Sequence, residues 1–394
     1  MKNPFDRVLV REGTCSVKFD ARKAVFGRED VIPLWVADTD FAAPQAITEA
    51  LVQRARHPAY GYTLFPDSLY ESMIDWFRQH HHWSIKRHWV RMAPGVVPTL
   101  HAAARAFAGE GEGVIIQPPV YPPFFSSIEK TGRRVVENPL VVRGGRYEMD
   151  LDHLAACAAS PDVKLLFLCS PHNPVGRVWS RAELEAVLDI ARSHDLVVIS
   201  DEIHADLVYP DRSAHTMLAT LAEPGDPLLT AVAPSKTFNI PGMGLSAVVA
   251  ERADLLKQLN NVFDAFHMLQ CNPFSVAAFE AGYRSGADWL AEMMDYVRDN
   301  RDFVLGFMEQ RLPDISVTGP EGTYLLWLDC RELGLGDADL KRFFVQKAGV
   351  GMNPGSSFGT GGSGYMRLNL GSPRSVLRQA LEQIETAVTA LKSE

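Results

Sequence analysis

Lys236 is the residue whose chemistry the sequence singles out. It follows an apolar run, Leu228 to Ala233, that reads as a buried strand, and Asn239, Pro241, Gly242 and Gly244 close in behind it. A lysine placed where a core strand runs out is held at low dielectric, which disfavours its charged form. A neutral amine in that position is a nucleophile toward an aldehyde. A single lysine at a loop is most often a solvated surface residue, so the assignment depends on what else reaches the same place. Three other stretches do: Ser170-Pro-His-Asn173-Pro-Val-Gly176, Asp201-Glu202-Ile-His204, and Tyr121, each just past an apolar run. Each alone has an ordinary reading, Asn-Pro as a turn, Asp201 as a helix cap and Tyr121 as core. Their common position is what raises them.

The runs that would position these residues are GVIIQ (113–117), Val163 to Cys169, Leu196 to Ile199 and Leu228 to Ala233. Helical stretches alternate with them, at Val97 to Ala108 and Ser180 to Asp195. Ser180 with Glu183 forms a capping box, and Leu184, Val187, Leu188 and Ala191 fall on one stripe. Continuous apolar strands alternating with helices predict a largely parallel sheet covered on both faces. Ligands of such sheets collect beyond the C-terminal strand ends. Upstream, residues 1 to about 45 read as irregular, Ala46 to Arg56 and Ser68 to His80 as helices, and 60–67 as a loop. Downstream, Pro273 to Ser285 and Trp289 to Arg311 read as helices. A smaller α+β unit follows, with Thr323 to Asp329 and Tyr365 to Leu370 as strands and Asp337 to Ala348 and Pro373 to Leu391 as helices. The expected division is an N-terminal segment (1–45) joining the small domain, a large domain (46–285) and a small C-terminal domain (286–394).

The chemistry that fits this constellation is that of pyridoxal 5′-phosphate. Lys236 would bond its aldehyde, and Asp201 would keep the pyridine nitrogen protonated so that the ring can accept electrons. Asn173 could hydrogen-bond the ring phenolate and Tyr121 could stack on the ring. The phosphate would sit at the start of the 97–108 helix, where the N–H groups of Val96 and Val97 point outward past Gly95. Arg367, in a strand near the C-terminus, could grip an amino-acid carboxylate with its fork; an ordinary salt bridge is equally compatible with its spacing. Two patterns are set aside. Gly359-Thr-Gly361-Gly-Ser-Gly364 matches GxGxxG but precedes a strand instead of opening a helix, so a mobile loop is expected. His80, His81, His82 and nearby His88 cannot converge on one ion from adjacent helical positions, so a solvated helix end is expected and no metal.

SPHNPVG, SDEIHADL, APSKTFNIPGM and YMRLNLGSPRS, in this order, resemble a fold-type I pyridoxal-phosphate enzyme of the class I/II aminotransferase superfamily. Within it the chain is most similar to the MalY/PatB group of cystathionine β-lyases. PLWVADTDFAAP, GYTLFPDSLYESMIDWF, APGVVPTL, QPPVYPPFF and TYLLWLDCREL match that group's versions, so the resemblance covers nearly the whole chain. It implies an α/β fold with a mainly parallel, seven-stranded-type sheet in the large domain and a smaller α+β domain. It implies Lys236 as the Schiff-base lysine, Asp201 on the pyridine nitrogen, Asn173 on the phenolate oxygen and Tyr121 on the ring face. Arg367, helped by Ala37 and Asn173, would hold the substrate carboxylate. Tyr62 matches a tyrosine that reaches the phosphate of a neighbouring subunit, which implies a homodimer.

Three positions depart from the wider superfamily. His204 stands where many aminotransferases carry a cofactor-bonded tyrosine, and this looks like the lyase pattern. Gly244 stands where many relatives have a phosphate-binding arginine, and Ala233 replaces a common serine. Phosphate binding then leans on Ser235, the 95–97 turn and Tyr62. The function implied is cleavage of a Cβ–S bond in cystathionine or a related cysteine conjugate, with Lys236 as general base for the α-proton. An aminotransferase would use the same lysine and aspartate, and His204 leans against it. A partner-binding regulator on the same scaffold is disfavoured by the complete set of Lys236, Asp201, Asn173 and Arg367.

Composition is that of an ordinary soluble globular protein. Hydrophobic residues make up 46% and charged residues 22% of the 394, ordinary values for a globular protein. A formal net charge of −9 offers no footprint for nucleic acid or anionic membrane. No apolar run approaches the roughly 18 residues of a membrane span, and the charged N-terminal stretch shows no apolar signal region. Cys15, Cys157, Cys169, Cys271 and Cys330 are odd in number and scattered, which suits free thiols in a reducing cytoplasm.

Overall fold

In the computed structural model, which describes residues 3–268 and 271–393, the apolar runs pair into a seven-stranded sheet. Its strands are β1 (Val90–Ala93), β2 (Gly113–Ile116), β3 (Arg134–Glu137), β4 (Val163–Cys169), β5 (Val197–Asp201), β6 (Leu228–Val232) and β7 (Ser246–Val249). The spatial order is β1-β7-β6-β5-β4-β2-β3. From β3 to β6 all neighbours are parallel, and β7 runs antiparallel to both β6 and β1. The register sets Cys169 opposite Asp201 and Asp201 opposite Ala231. The ends of β4, β5 and β6 therefore open on one edge. Asn173 and Lys236 follow in the chain just beyond it.

Helices cover both faces, as strands buried on both sides require. On one face lie α3 (Val96–Phe107) and α5 (Ala253–Ala265); on the other lies α4 (Arg181–Ser193). The capping box of α4 is complete: the Ser180 hydroxyl accepts from the Glu183 N–H, and Glu183 accepts from the Ser180 N–H at 2.8 Å. Leu184, Val187, Leu188 and Ala191 are buried as one stripe. The helices α1 (Gln45–Arg56), α2 (Asp67–His81), α6 (Pro273–Ser285) and α7 (Ala287–Arg311) pack into a further core beside the sheet.

The C-terminal unit is an antiparallel sheet of β8 (Ser316–Val317), β9 (Leu325–Asp329), β10 (Asn353–Pro354) and β11 (Tyr365–Asn369), ordered β8-β9-β11-β10, with α8 (Arg374–Leu391). The N-terminal segment is joined to it, since Ile32–Pro33 pairs in parallel with Val350–Gly351.

Several elements differ from the sequence reading. The first 45 residues hold two short helical turns, Val17–Asp20 and Arg22–Phe26. The stretch expected as one helix over 337–348 is an α-helix only to Arg342 and then a π-turn, Phe343–Lys347. The wider turn buries Phe343 and Phe344 side by side. Helices at Pro123–Glu129 and Leu151–Ala158, α5, and strands β1, β3 and β7 are not evident in the sequence, being short or lacking a clean period. In the glycine loop 359–364, Gly362 and Gly364 are buried, while Thr360, Gly361 and Ser363 are exposed. A Cβ on Gly362 would come within 2.0 Å of the Gly355 carbonyl oxygen, and the Gly364 N–H donates to Asp337 Oδ1 at 2.8 Å.

Candidate active site

Lys236 lies on a single helical turn, Pro234–Thr237, immediately beyond β6. The turn is wedged in place by Phe238, which is fully buried and meets Trp76 and Tyr283 edge-on. Helix α6 reaches Phe238 closely through two glycines: a Cβ on Gly282 would fall 2.7 Å, and one on Gly286 just past the helix 2.4 Å, from the Phe238 ring. Next, Asn239 takes φ 55°, a left-handed conformation that asparagine tolerates. Its amide clamps the N-terminal segment by accepting from the Thr39 N–H at 3.0 Å and donating to the carbonyls of Thr39 and Phe41, both at 2.9 Å. The Ala37 carbonyl is thereby held over the lysine, and Lys236 Nζ donates to it at 2.6 Å.

A cavity of about 210 Å³ opens around this amine. Asn173, Asp201, His204, Tyr121, Ser235 and Ala37 line it, as do Val96 and Val97 at the start of α3. The sequence singles out every one of these, and the sheet edge brings them together. Arg367 stands at the same site through Asn173, to whose side-chain oxygen it donates at 3.0 Å. Its second terminal nitrogen donates to the Trp35 carbonyl at 2.8 Å and to Asn353 Oδ1 at 2.9 Å. Tyr62 is not brought there: it projects fully exposed from the 57–66 loop.

Burial tunes the charges. It lowers the Lys236 ammonium to about 8; Arg367 adds to the effect, while Asp38 and Asp201 oppose it. Burial likewise raises the Asp201 carboxyl to about 7, with Glu202 adding and the Ile203 N–H and Lys236 opposing. His204 is pushed down to about 3 by burial and by the two nearby cations, so its imidazole is neutral. Burial pushes the Tyr121 phenol up, and Arg367 is brought down to about 10 by the same cause. An acid and an amine that both titrate near neutrality, across one cavity, mark a functional site.

The site has the features that a pyridoxal phosphate would need. Among the described residues the Asp201 carboxylate accepts only the Ile203 N–H, at 3.2 Å, leaving acceptor capacity for a protonated ring nitrogen. His204 Nδ1 and Arg367 Nε are buried without a partner among the described residues. The N–H groups of Val96 and Val97 open α3, Pro98 has none, and Thr99 is already satisfied by the Gly95 carbonyl at 3.1 Å. Two amides without a partner among the described residues, at a helix start, suit a phosphate. The only lysine or arginine lining the cavity itself, among the described residues, is Lys236. At the position lacking the superfamily's arginine, Gly244 has φ 55° and borders the cavity.

Some of the apparatus is not legible in the sequence. Tyr324 donates its hydroxyl to the Ala37 carbonyl at 3.0 Å. Lys18 is fully buried and donates to Asp40 at 2.9 Å, while Arg11 forks onto Asp38 and Asp40, which fixes the 36–40 segment. The histidine cluster corrects an expectation. His81 is not solvated: its Nε2 lies 2.7 Å from Asp206 Oδ1, and its side chain is 7% exposed. His80 and His82 do face solvent.

The chain is similar to known proteins in both sequence and fold. Residues 29–384 match the family model "Aminotransferase class I and II". The chain is 38% identical to cystathionine beta-lyase PatB of Bacillus subtilis, over 98% of this chain and 100% of that protein. It is 32% identical to protein MalY of Escherichia coli, over 98% and 99% of the two chains. Its fold superposes on the crystal structure of cystalysin from Treponema denticola, which contains a pyridoxal 5′-phosphate cofactor, with a TM-score of 0.96. The identity there is 34%, covering 99% of this chain and 100% of that one.

Proposed function

Because this chain belongs to the class I and II aminotransferase family, we propose that the Lys236 cavity is where it cleaves the Cβ–S bond of cystathionine or a related cysteine conjugate. The protein is a pyridoxal-phosphate-dependent carbon–sulfur lyase, and its products are a thiol, pyruvate and ammonia. The observation that carries the site reading is the pairing of Lys236 and Asp201 across one cavity with their pKa values drawn toward neutrality from opposite sides.

When bound, the cofactor supplies an electron-accepting ring that stabilises negative charge at the substrate α-carbon. The rest belongs to this chain. Asp201 would hold the proton on the ring nitrogen, and Asn173 and neutral His204 would face the ring's phenolate side. Tyr121 would pack on the ring face. The amides of Val96 and Val97, with the Ser235 hydroxyl, would take the phosphate. Arg367 would orient the substrate carboxylate with its free Nε, with the Ala37 segment and Asn173 beside it. Lys236 Nζ, lowered to about 8, is in large part neutral at mildly alkaline pH and takes the α-proton as general base. With that proton removed, the β-thiolate leaves.

The active unit in this reading is a homodimer. Tyr60, Tyr62 and Leu64 are exposed along one loop, where a second copy would cover them and receive Tyr62 at its phosphate site. The five free cysteines suit a cytoplasmic setting.

The deciding experiment is pyruvate release from L-cystathionine by the cofactor-loaded protein with no keto acid present. Pyruvate and thiol in equal amounts establish β-elimination. Absence of pyruvate, with amino-group exchange once a keto acid is added, would make the chain an aminotransferase.

A further inference from the structure

Beneath the Lys236 turn lies a buried polar cluster that the reaction scheme does not use. Asp206 stands two residues past His204 and five past Asp201, on the same loop. Its carboxylate is 6% exposed. One oxygen, Oδ1, accepts Trp76 Nε1 at 3.0 Å and faces His81 Nε2 at 2.7 Å. The other, Oδ2, accepts the hydroxyl of Thr237 at 2.7 Å. Thr237 is the neighbour of Lys236. Burial opposes charging His81, but the hydrogen bond to Asp206 and the negative charges of Asp206 and Glu202 outweigh it and raise its pKa. The same pair lowers Asp206, against the pull of burial. A buried carboxylate is tolerable only when paired and fully hydrogen-bonded, and here all three of these partners come from other elements. Two belong to α2, and the third is the residue beside the reactive lysine.

We propose that Asp206, braced by His81, is a positioning residue that fixes the Lys236 amine against Asp201 and His204 through the Thr237 hydroxyl. The cluster ties the loop bearing the acid to the turn bearing the base. Asp206 is not among the charges that shift Lys236 itself, so its influence is geometric. The lysine turn is one helical turn long, too short to hold its own direction by internal hydrogen bonds. On one side Phe238 anchors it by packing, and on the other Thr237 anchors it by the bond to Asp206. Misplacing a reacting group by about 1 Å costs on the order of 10²-fold in rate, which sets the scale of the effect. This inference rests on the reading of Lys236 as the cofactor-bearing lysine.

The test is Thr237→Val against Thr237→Ser in the cofactor-loaded protein. Valine keeps the shape and loses the hydroxyl; serine keeps the hydroxyl. For Thr237→Val, kcat is expected to fall by about 10- to 100-fold with KM little changed. The pH at which the visible absorption of the lysine-bound cofactor changes is also expected to move. Thr237→Ser should restore both. Wild-type kcat and an unmoved absorption titration in Thr237→Val would overturn the proposal. So would equal losses in both variants with the titration unmoved, which would mark a packing role alone. Should Thr237→Val fail to fold, Asp206→Asn, which is close to isosteric, is read by the same two measurements with the same expected signs. Lys236→Ala serves as control: if its visible absorption persists, the lysine assignment fails and not the positioning argument.

Discussion

Lys236 Nζ and the carbonyl oxygen of Ala37 lie 2.6 Å apart although 199 positions separate them. The Asn239 side chain ties the two segments together next to that contact, through its bonds to Thr39 and Phe41. Asn239→Gly keeps the left-handed backbone without strain and deletes all three bonds. The N-terminal segment should then lose its fixed place over the lysine, and kcat/KM for β-elimination should fall by up to about 10²-fold. Steady-state pyruvate release measures it. An unchanged value would mean that the Arg11, Lys18 and Asp40 network positions Ala37 by itself.

Asp201 gives a pH signature in the cofactor-free protein. Its carboxyl rises from 3.8 to about 7 on folding, so between these values the folded state binds the extra proton. Stability contributed by this group is present below about pH 4 and is lost as pH rises through 7. Lys236, lowered from 10.5 to about 8, slopes the other way, with stability gained between those values. Between pH 4 and 7, therefore, the melting temperature of cofactor-free protein should decline relative to that of Asp201→Asn, which lacks the titration. Loading the cofactor should flatten the difference, because a protonated ring nitrogen compensates the buried carboxylate. Parallel profiles for the two cofactor-free proteins would count against the burial argument.

The parts of this architecture that a sequence reader can see are those carried by local pattern. Strand β4 is apolar but for Lys164 and β6 but for Thr230, and α4 declares itself by Ser180, Glu183 and its stripe. The strand-end position of Lys236 follows from β6, and that of Asp201 from the apolar run 196–199. Strand β1 (VRMA) and strand β7 (SAVV) are four residues each with no clear period, so their pairing is decided by the sheet and not by themselves. His81 departs from its solvated reading for a similar reason. Its partner Asp206 lies 125 positions away, and a histidine at a helix end looks solvated until the loop that covers it is placed. The support of Ala37 by Tyr324, across 287 positions, is of the same kind. Local spacing finds the reacting groups; what orients them is tertiary.

The close approach of α6 to the lysine turn predicts a sharp contrast between two glycines. In Gly286→Ala the new Cβ would lie 2.4 Å from the Phe238 ring and 2.6 Å from the Gly282 carbonyl oxygen. Overpacking of this kind costs about 1–3 kcal/mol, and the shift of Phe238 should also weaken cofactor retention. At Gly306, inside α7, an added Cβ would meet nothing within 4 Å among the described residues. Gly306→Ala should be neutral or stabilising by up to about 1 kcal/mol. Thermal melts of the two variants decide it, and a Gly286→Ala protein as stable as wild type would refute the packing account.

Arg367 yields the most direct test of substrate recognition. It is buried; Nη1 donates to Asn173 and Nη2 to the Trp35 carbonyl and Asn353, which among the described residues leaves Nε–H and one N–H of Nη1 as donors. A lysine keeps the charge, but its single ammonium cannot span these three acceptors and also reach a carboxylate. Losing one charge-assisted hydrogen bond is worth about 1.5–3 kcal/mol, or roughly 10- to 100-fold in kcat/KM. A carboxylate contact made equally before and during the chemical step changes KM and not kcat. Arg367→Lys should therefore raise KM for L-cystathionine and leave kcat nearly as it was. A fall in kcat at constant KM would assign Arg367 to the chemical step instead. An unaltered kcat/KM would remove it from substrate binding altogether.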